Sequence, residues 1–275
     1  MRTISSRVPE GRKAPAKLVP DGLLHPKYTN RRVSGGCYIL CWRGAVRRLD
    51  RSSYKRVSPE LTLPSNLEHH IVHFLRLRVL QEFELLAERL EYAVSKGMNL
   101  GIRNVILRRL TREEWASMRA TGTLPYDNAL AVLIVPPVNK DTMTKQRPEA
   151  SMSAQPPKDE QQLKNLPPTS VLLTGIKDVS ENLGTNLPAH QIPLYNAITA
   201  FPSRSQRSAL HSLLLRILKA ERAHKRLSRK KSDHSEASKG SHAFLLCSDE
   251  NTGRRGDPAA VAVALWRLRM YDSEG

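Results

Sequence analysis

Residues 203–231, SRSQRSALHSLLLRILKAERAHKRLSRKK, combine the clearest helix pattern in the chain with a dense run of positive charge. At 100° per residue, Leu210, Leu213, Leu214 and Ile217 fall within about one third of the helix circumference, the width typical of a core-facing stripe. Ser203 or Ser205 can cap the start, and Pro202 disfavours helix before it. The stretch therefore predicts an amphipathic helix docked on a core.

The opposite side of this helix carries basic side chains, namely Arg204, Arg216, Lys219, Arg222, Arg226 and Arg229. A row of cations along one helix face is typical of a surface that neutralises phosphates. The alternative is a solvated surface helix with basic residues near its C-terminus, where they complement the helix dipole. Both interpretations stay open at the level of sequence.

The net charge of +18 is concentrated in two segments of the 275-residue chain. Residues 1–60 hold 14 basic and 4 acidic residues, and residues 203–231 hold 10 basic and 1 acidic residue. Two basic blocks on an otherwise balanced body attract polyanions. RNA is the partner that we expect first, and an anionic membrane surface is the second candidate.

Residues 1–60 predict a flexible, irregular basic arm, because Pro9, Pro15, Pro20 and Pro26 oppose a long helix. Arg and Ser are abundant and acids few, as in a mitochondrial presequence, so a matrix destination is expected, with the nucleus or nucleolus as the alternative. Aromatics interleave with basic residues later in the arm, including Arg43, Arg47, Arg48 and Arg51. The arginines of this pattern suit single-stranded nucleic acid, whereas the aromatic residues from Tyr38 to Trp42 are better explained by a packed strand.

Residues 61–138 predict a helix and strand unit. Ser65 and Glu68 form a capping box, apolar residues then recur at helical spacing, and Gly97 marks the end of a long scaffold helix over about 65–96. A short strand at 104–110 precedes a second capping box, Thr111 with Glu114, and a helix that Gly122 ends. The apolar run at 129–135 predicts a buried strand.

Residues 139–169 contain five prolines and no aromatic residue, which predicts a disordered linker or insertion. Residues 170–275 form a second unit, either separate or packed with 61–138 as one domain. We expect strands at 170–174 and 242–247, a core role for Tyr195 and Phe201, and a closing helix that begins at Asp257 and Pro258. Alternation of Trp266, Leu268 and Met270 with arginines would also fit a strand there.

Motifs for catalysis, nucleotide binding or metal binding are absent from the sequence. His69 and His73 share a helix face but lack a third ligand at a recognisable spacing, so no metal site is predicted. Cys37, Cys41 and Cys247 are expected to be buried structural cysteines. We expect no cofactor, no catalytic residue and no membrane-spanning helix.

These observations together predict an α+β or irregular α/β fold that is rich in helix, with one long scaffold helix and short, mostly buried strands. The expected function is a non-enzymatic RNA-binding protein of the mitochondrial gene-expression or ribosome-associated machinery. The first alternative is a mitochondrial protein-interaction or assembly factor whose basic arm is only an import signal, with ribosomal or assembly proteins as partners. The second is an enzyme of unrecognised type.

Overall fold

A computed structural model of the chain describes residues 2–4, 17–29, 38–49, 54–55, 61–97, 105–141, 145–156, 166–175, 191–227, 239–248 and 257–272. Contacts divide the chain into two compact units. Unit 1 contains Met1–Gln81 and Ala264–Gly275, and unit 2 contains Glu82–Val263. The division falls within two helices, α2 (Leu67–Ser95) and α6 (Asp257–Asp272).

Unit 1 contains the predicted N-terminal arm, of which the structure describes several parts. Strands β1 (Arg2–Ile4) and β2 (Lys17–Val19) pair antiparallel, and a 3-10 helix follows at Pro26–Tyr28. Leu18 is fully buried and packs with Tyr54 and Leu61 in a small core. The described part of the arm is therefore not irregular throughout, because a buried leucine and a short ladder hold it.

The aromatic and arginine segment does not form the alternative strand. Helix α1 spans Arg43–Arg47, and Trp42 precedes it in an extended conformation. The ring of Trp42 lies against Gly44, where an added Cβ would come within 2.6 Å of the ring. The Trp42 ring can occupy this position because Gly44 has no side chain. Composition alone does not reveal this contact.

Unit 2 is built on a six-stranded mixed sheet in the order β3-β8-β5-β7-β6-β4. The strands are β3 (Leu107–Thr111), β4 (Thr123–Leu124), β5 (Ala129–Ile134), β6 (Ser170–Gly175), β7 (Gln191–Asn196) and β8 (Gly240–Cys247). Strand β5 pairs parallel with β7 and antiparallel with β8. Strands from both sides of residues 139–169 thus share one sheet.

One face of the sheet packs against helix α3 (Arg112–Thr121). The core on this face includes Met118 of the helix and Val132, Ile192 and Leu245 of three strands. Residues of the opposite face, such as Leu133 and Phe244, are also buried. Helix α5 (Arg204–Leu227) follows the short helix α4 (Ala197–Ala200) and lies against β3.

The predicted capping chemistry of α3 is confirmed at both ends. Thr111 Oγ1 accepts a hydrogen bond from the Glu114 N–H at 3.1 Å, and Glu114 Oε2 accepts one from the Thr111 N–H at 2.8 Å. Gly122 adopts a left-handed φ of 67° at the C-cap. Gly97, beyond α2, has a φ of 60°. Local sequence therefore fixes these ends, since each needs only residues a turn apart.

A mixed α+β fold is confirmed, and two details of the prediction differ. The chain has a second long helix besides α2, because α5 runs for 24 residues. The strands are not all buried, since Val171 and Leu172 of β6 are 43% and 38% exposed. The closing segment is the helix α6 rather than a strand, with Val261, Leu265 and Leu268 buried on one side.

Candidate nucleic-acid interface

Helix α5 presents the predicted division into an apolar and a polar side. Leu210, Leu213, Leu214 and Ile217 are buried, as their spacing predicts. Ser203 Oγ lies 3.5 Å from the Gln206 amide nitrogen, the position of an N-cap acceptor. The apolar side therefore anchors the helix, and the polar side stays exposed.

The exposed side of α5 carries a cationic stripe, which we define as Lys219, Arg222 and Arg226. These residues recur at steps of three and four, so they share one helix face, and all three are exposed. None of the three forms an ion pair with another residue that the structure describes. At about 1.5 Å per residue, the stripe extends roughly 10 Å along the helix. Three exposed positive charges therefore line this face, and Lys219 also contributes to the lowered pKa of Glu91.

Arg216, predicted as part of the same face, has an acidic partner within unit 2. Its Nε and Nη2 donate to the two carboxylate oxygens of Glu91 in α2, at 2.9 and 2.7 Å. The hydrogen bond to Arg216 lowers the pKa of Glu91, and the reciprocal bond raises the pKa of Arg216. Glu84 and Glu88 add to the negative potential there. Arg216 therefore joins two helices.

Arg204, at the start of α5, binds the segment that follows β5. Its Nη2 donates to the Asn139 carbonyl at 2.7 Å, and its Nη1 lies 3.4 Å from an Asp141 carboxylate oxygen. Gln206 Nε2 donates to the Met152 carbonyl at 2.8 Å, and the Ser151 N–H donates to the Ser205 carbonyl at 3.2 Å. Residues 139–141 and 151–152 of the predicted linker therefore contact the first turns of the helix.

The predicted arm residues belong to unit 1, and two of them have acidic partners. Arg43 pairs with Asp272, and its guanidinium lies 5.6 Å from the ring of Tyr271. Burial raises the pKa of the Tyr271 hydroxyl to about 12. Arg47 pairs with Glu68 at 3.2 Å. These pairs hold α1 against the N-terminal turn of α2 and the end of α6.

Arg48 is exposed, and its guanidinium lies 5.9 Å from the ring of Trp42. Tyr38 and Leu40 are exposed close by in the chain. An exposed arginine with aromatic neighbours retains the features of a base-stacking surface. Arg51 and Arg229, both predicted to bind nucleic acid, lie outside the described residues.

The histidines at the start of α2 and the cysteines were considered for metal binding and thiol chemistry. Within the described ranges, no three His, Cys, Asp or Glu side chains cluster in a way that could hold a metal ion. His70 Nε2 lies 2.9 Å from Asn66 Nδ2, and burial lowers the pKa of His73. Cys247 is buried, whereas Cys41 is exposed, contrary to the expectation for that residue. Cys37 lies outside the described residues.

A buried carboxylate that the sequence analysis did not single out anchors α5 to the sheet. Glu221 Oε1 accepts hydrogen bonds from the Ile106 and Leu107 amides at 2.5 and 3.1 Å. Burial raises the pKa of Glu221 to about 7, although the two amide bonds and Lys225 act in the opposite direction. Glu221 is the single acidic residue among residues 203–231. An isolated acid in a basic segment is the feature of the sequence that could have drawn attention to it.

The fold and the exposed cations define a mixed α+β protein with a basic helix mounted on a six-stranded sheet. Where the structure describes the chain, no helix is both long enough and apolar enough to cross a membrane. The chain matches no protein-family model, no curated protein and no solved structure.

Proposed function

We propose that this chain is a non-enzymatic RNA-binding protein of the mitochondrial gene-expression machinery, associated with the ribosome. The observation that supports the proposal is the cationic stripe of α5, in which three exposed basic residues share one face of a helix anchored by its apolar side. An anchored helix positions its charges without further ordering cost, which favours binding. The exposed Arg48 beside Trp42 adds a stacking surface in unit 1.

The proposed mechanism is neutralisation of backbone phosphates with release of condensed counterions. Contacts of this kind carry no sequence information, so the chain should bind single-stranded RNA of different sequences with similar affinity. Affinity should fall steeply as salt is added. Arg216 and Arg204 hold the helix in place through Glu91 and Asn139, and the phosphate contacts belong to Lys219, Arg222 and Arg226.

The test is equilibrium binding of the full chain to a generic single-stranded RNA across a salt series. A variant with Lys219, Arg222 and Arg226 changed to Ala should lose affinity and part of the salt dependence. Arg216 is left unchanged in this variant, because loss of its hydrogen bond to Glu91 would also weaken the fold. Competition by anionic vesicles would instead assign the stripe to a membrane surface.

A protein-interaction or assembly role is the second candidate, and an exposed apolar pair on α6 favours it. Trp266 and Met270 lie four residues apart on one helix face and are 43% and 45% exposed. The guanidinium of Arg269 lies 4.7 Å from the Trp266 ring. If a ribosomal or assembly protein covers this pair, Trp266→Ala with Met270→Ala should reduce co-sedimentation with mitochondrial ribosomes and leave RNA binding unchanged.

Mitochondrial location rests on the composition of residues 1–60. Expression of the full chain with a C-terminal tag and sizing of its mature N-terminus test it. Removal of an N-terminal segment in the matrix would support the proposal, and nuclear accumulation of the intact chain would contradict it.

A further inference from the structure

The outer edge of strand β6 contains a short stretch that has no neighbouring strand. In the sheet, β6 lies between β7 and β4, and β7 pairs with every residue from Ser170 to Thr174. On the other side, β4 pairs only with Thr174 and Gly175. Among the strands that the structure describes, none pairs with this side of β6 from Ser170 to Leu173.

The hydrogen bonds of β6 show which backbone groups face this edge. The Thr174 N–H donates to the carbonyl of Gly122, the residue before β4, at 3.2 Å. Backbone groups of an antiparallel strand alternate between its two edges. The N–H and C=O groups of Ser170 and Leu172 therefore face the same edge as the Thr174 N–H. Within the described part of the chain these groups have no hydrogen-bond partner.

The side chains of this stretch are uncharged, and two of them are apolar and exposed. Val171 and Leu172 are 43% and 38% exposed, and no residue from 166 to 175 is charged. Native proteins hinder pairing at an open strand edge with charged side chains, prolines or bulges. The stretch from Ser170 to Leu173 has none of these, and its register with β7 is regular. It therefore favours the addition of a strand.

A second copy of this chain matches the length of the stretch. Because β4 occupies the edge from Thr174 onward, a long strand of another protein would meet β4. Antiparallel pairing of two copies about a two-fold axis at Val171 places Ser170 of each copy opposite Leu172 of the other. The edge-facing N–H and C=O groups of both residues then bond across the axis, and none is left over.

The charge and the course of the chain also favour a second copy. The net charge of +18 makes two copies repel at long range, but uncharged strands place no like charges opposite each other. Before β6, the Thr199 hydroxyl of α4 donates to the Pro167 carbonyl at 2.7 Å, and the chain bends at Thr169. The chain therefore leaves the edge before it could meet β4 of the second copy.

We propose that β6 is a self-association edge, at which two copies of this chain pair antiparallel about Val171 and join their six-stranded sheets. Val171 lies opposite Val171 of the second copy on one face of the joined sheet, and Leu172 lies on the other face. The ladder is short and buries less than the roughly 800 Å² per partner of a standard interface, so the dimer forms only as concentration rises. This association stands whether or not the chain binds RNA.

The test is sedimentation equilibrium of the nuclease-treated full chain over a range of concentrations that reaches about 0.5 mM, since a short interface gives weak affinity. Sodium chloride at about 0.5 M suppresses contacts with residual RNA and screens general repulsion. We expect the average mass to rise from that of one chain toward that of two. A wild type that stays monomeric would overturn the proposal, and would leave the edge to a strand of another protein.

A pair of matched variants tests the position of the contact. Val171→Lys places two lysines opposite each other at the axis and should raise the dissociation constant about tenfold or more. Val263→Lys adds the same charge at another exposed valine, on α6, and should leave the dissociation constant within about twofold of wild type. Equal weakening by the two variants would overturn the edge contact.

A charge exchange tests the two-fold register. Val171→Glu alone should weaken the dimer, as Val171→Lys does, because two carboxylates then face each other. An equal mixture of the two variants should dimerise again, since a lysine now lies opposite a glutamate. Recovery also shows that both variants are folded. A mixture that stays monomeric would overturn pairing about Val171.

Leu172→Pro tests the backbone bonds of the ladder. Proline removes the N–H that faces the outer edge, and the bonds to β7 remain because they come from Val171 and Leu173. Loss of one donor from each copy should raise the dissociation constant about tenfold. Urea unfolding checks that the variant is folded, and a dissociation constant unchanged from wild type would overturn the ladder.

Discussion

Arg216 and Glu91 form a two-point ion pair that joins α5 to the C-terminal part of α2, with hydrogen bonds of 2.9 and 2.7 Å. Sequence patterning placed Arg216 with the phosphate-binding residues, because it lies outside the apolar stripe and close to Lys219 on the helical wheel. The structure adds that Glu91, with Glu84 and Glu88 of the same helix, acts on Arg216, which the pattern of α5 alone did not show. A cation already bonded to a carboxylate has less to gain from a phosphate, since it must first give up its partner.

We predict that Arg216→Ala costs about 0.5–1 kcal/mol of unfolding free energy, the range for a partly exposed two-point pair. Urea denaturation of wild type, Arg216→Ala, Glu91→Ala and the double variant measures the coupling. The coupling should shrink at high salt, because ions screen exposed charges. Fully additive single-variant effects at low salt would show that the pair contributes nothing.

Glu221 should make stability depend on pH. Burial raises its folded-state pKa to about 7 from an ordinary value of 4.5, so between these values the folded protein binds more protons than the unfolded chain. The stability contributed by this group is then fully present below about pH 4.5 and is lost as pH rises through 7. At about 1.4 kcal/mol per unit, the loss amounts to roughly 3 kcal/mol.

Glu221→Gln tests that pH dependence. The amide oxygen of glutamine can still accept the Ile106 and Leu107 bonds, but the side chain does not titrate. Unfolding free energies measured from pH 5 to 8 should fall less steeply in this variant than in wild type. Identical profiles for the two proteins would contradict the assignment of the titration to Glu221.

The capping box of α3 should contribute measurably to stability. Thr111→Ala removes the acceptor of the Glu114 amide and should cost about 1 kcal/mol. Ser117→Ala, on the exposed surface of the same helix, is the matched control and should change stability by less than about 0.5 kcal/mol. Thermal unfolding of the three proteins gives the comparison, and equal stability of wild type and Thr111→Ala would refute the role of the cap.

Local features were predictable from the sequence because they depend on residues within one or two helical turns. The Thr111 and Glu114 box, the Gly122 terminus and the buried stripe of α5 belong to this group. The boundaries of the long helix were also close to the observed Leu67–Ser95. Each of these is determined by spacing, and spacing is what a sequence displays directly.

Long-range pairings were not predictable, and they decide the character of the candidate site. Arg216 and Glu91 are 125 residues apart, and Arg43 and Asp272 are 229 residues apart. The parallel pairing of β5 with β7 likewise crosses residues 139–169. Helical periodicity does not predict which distant element packs against a helix. The sequence of one helix therefore does not show which of its basic residues pair with acidic residues of another helix.

Cys247 should be inert toward thiol reagents in the folded protein. It is 5% exposed, and burial together with the Glu221 carboxylate raises its pKa to about 12. In a variant with Cys37 and Cys41 changed to Ser, a colorimetric disulfide reagent at pH 8 should label Cys247 only after denaturant is added. Rapid labelling of the native protein would contradict the buried position.

The salt dependence of RNA binding, compared among three proteins, tests whether the cationic stripe binds phosphates. They are wild type, the stripe variant with Lys219, Arg222 and Arg226 changed to Ala, and a control with three other exposed cations, Arg112, Arg119 and Lys140, changed to Ala. At about 0.7 ion per single-strand phosphate, the stripe variant should lose roughly two units of log–log slope, and the control should keep the wild-type slope. Absence of wild-type binding at low salt, or equal losses in both variants, would contradict the account.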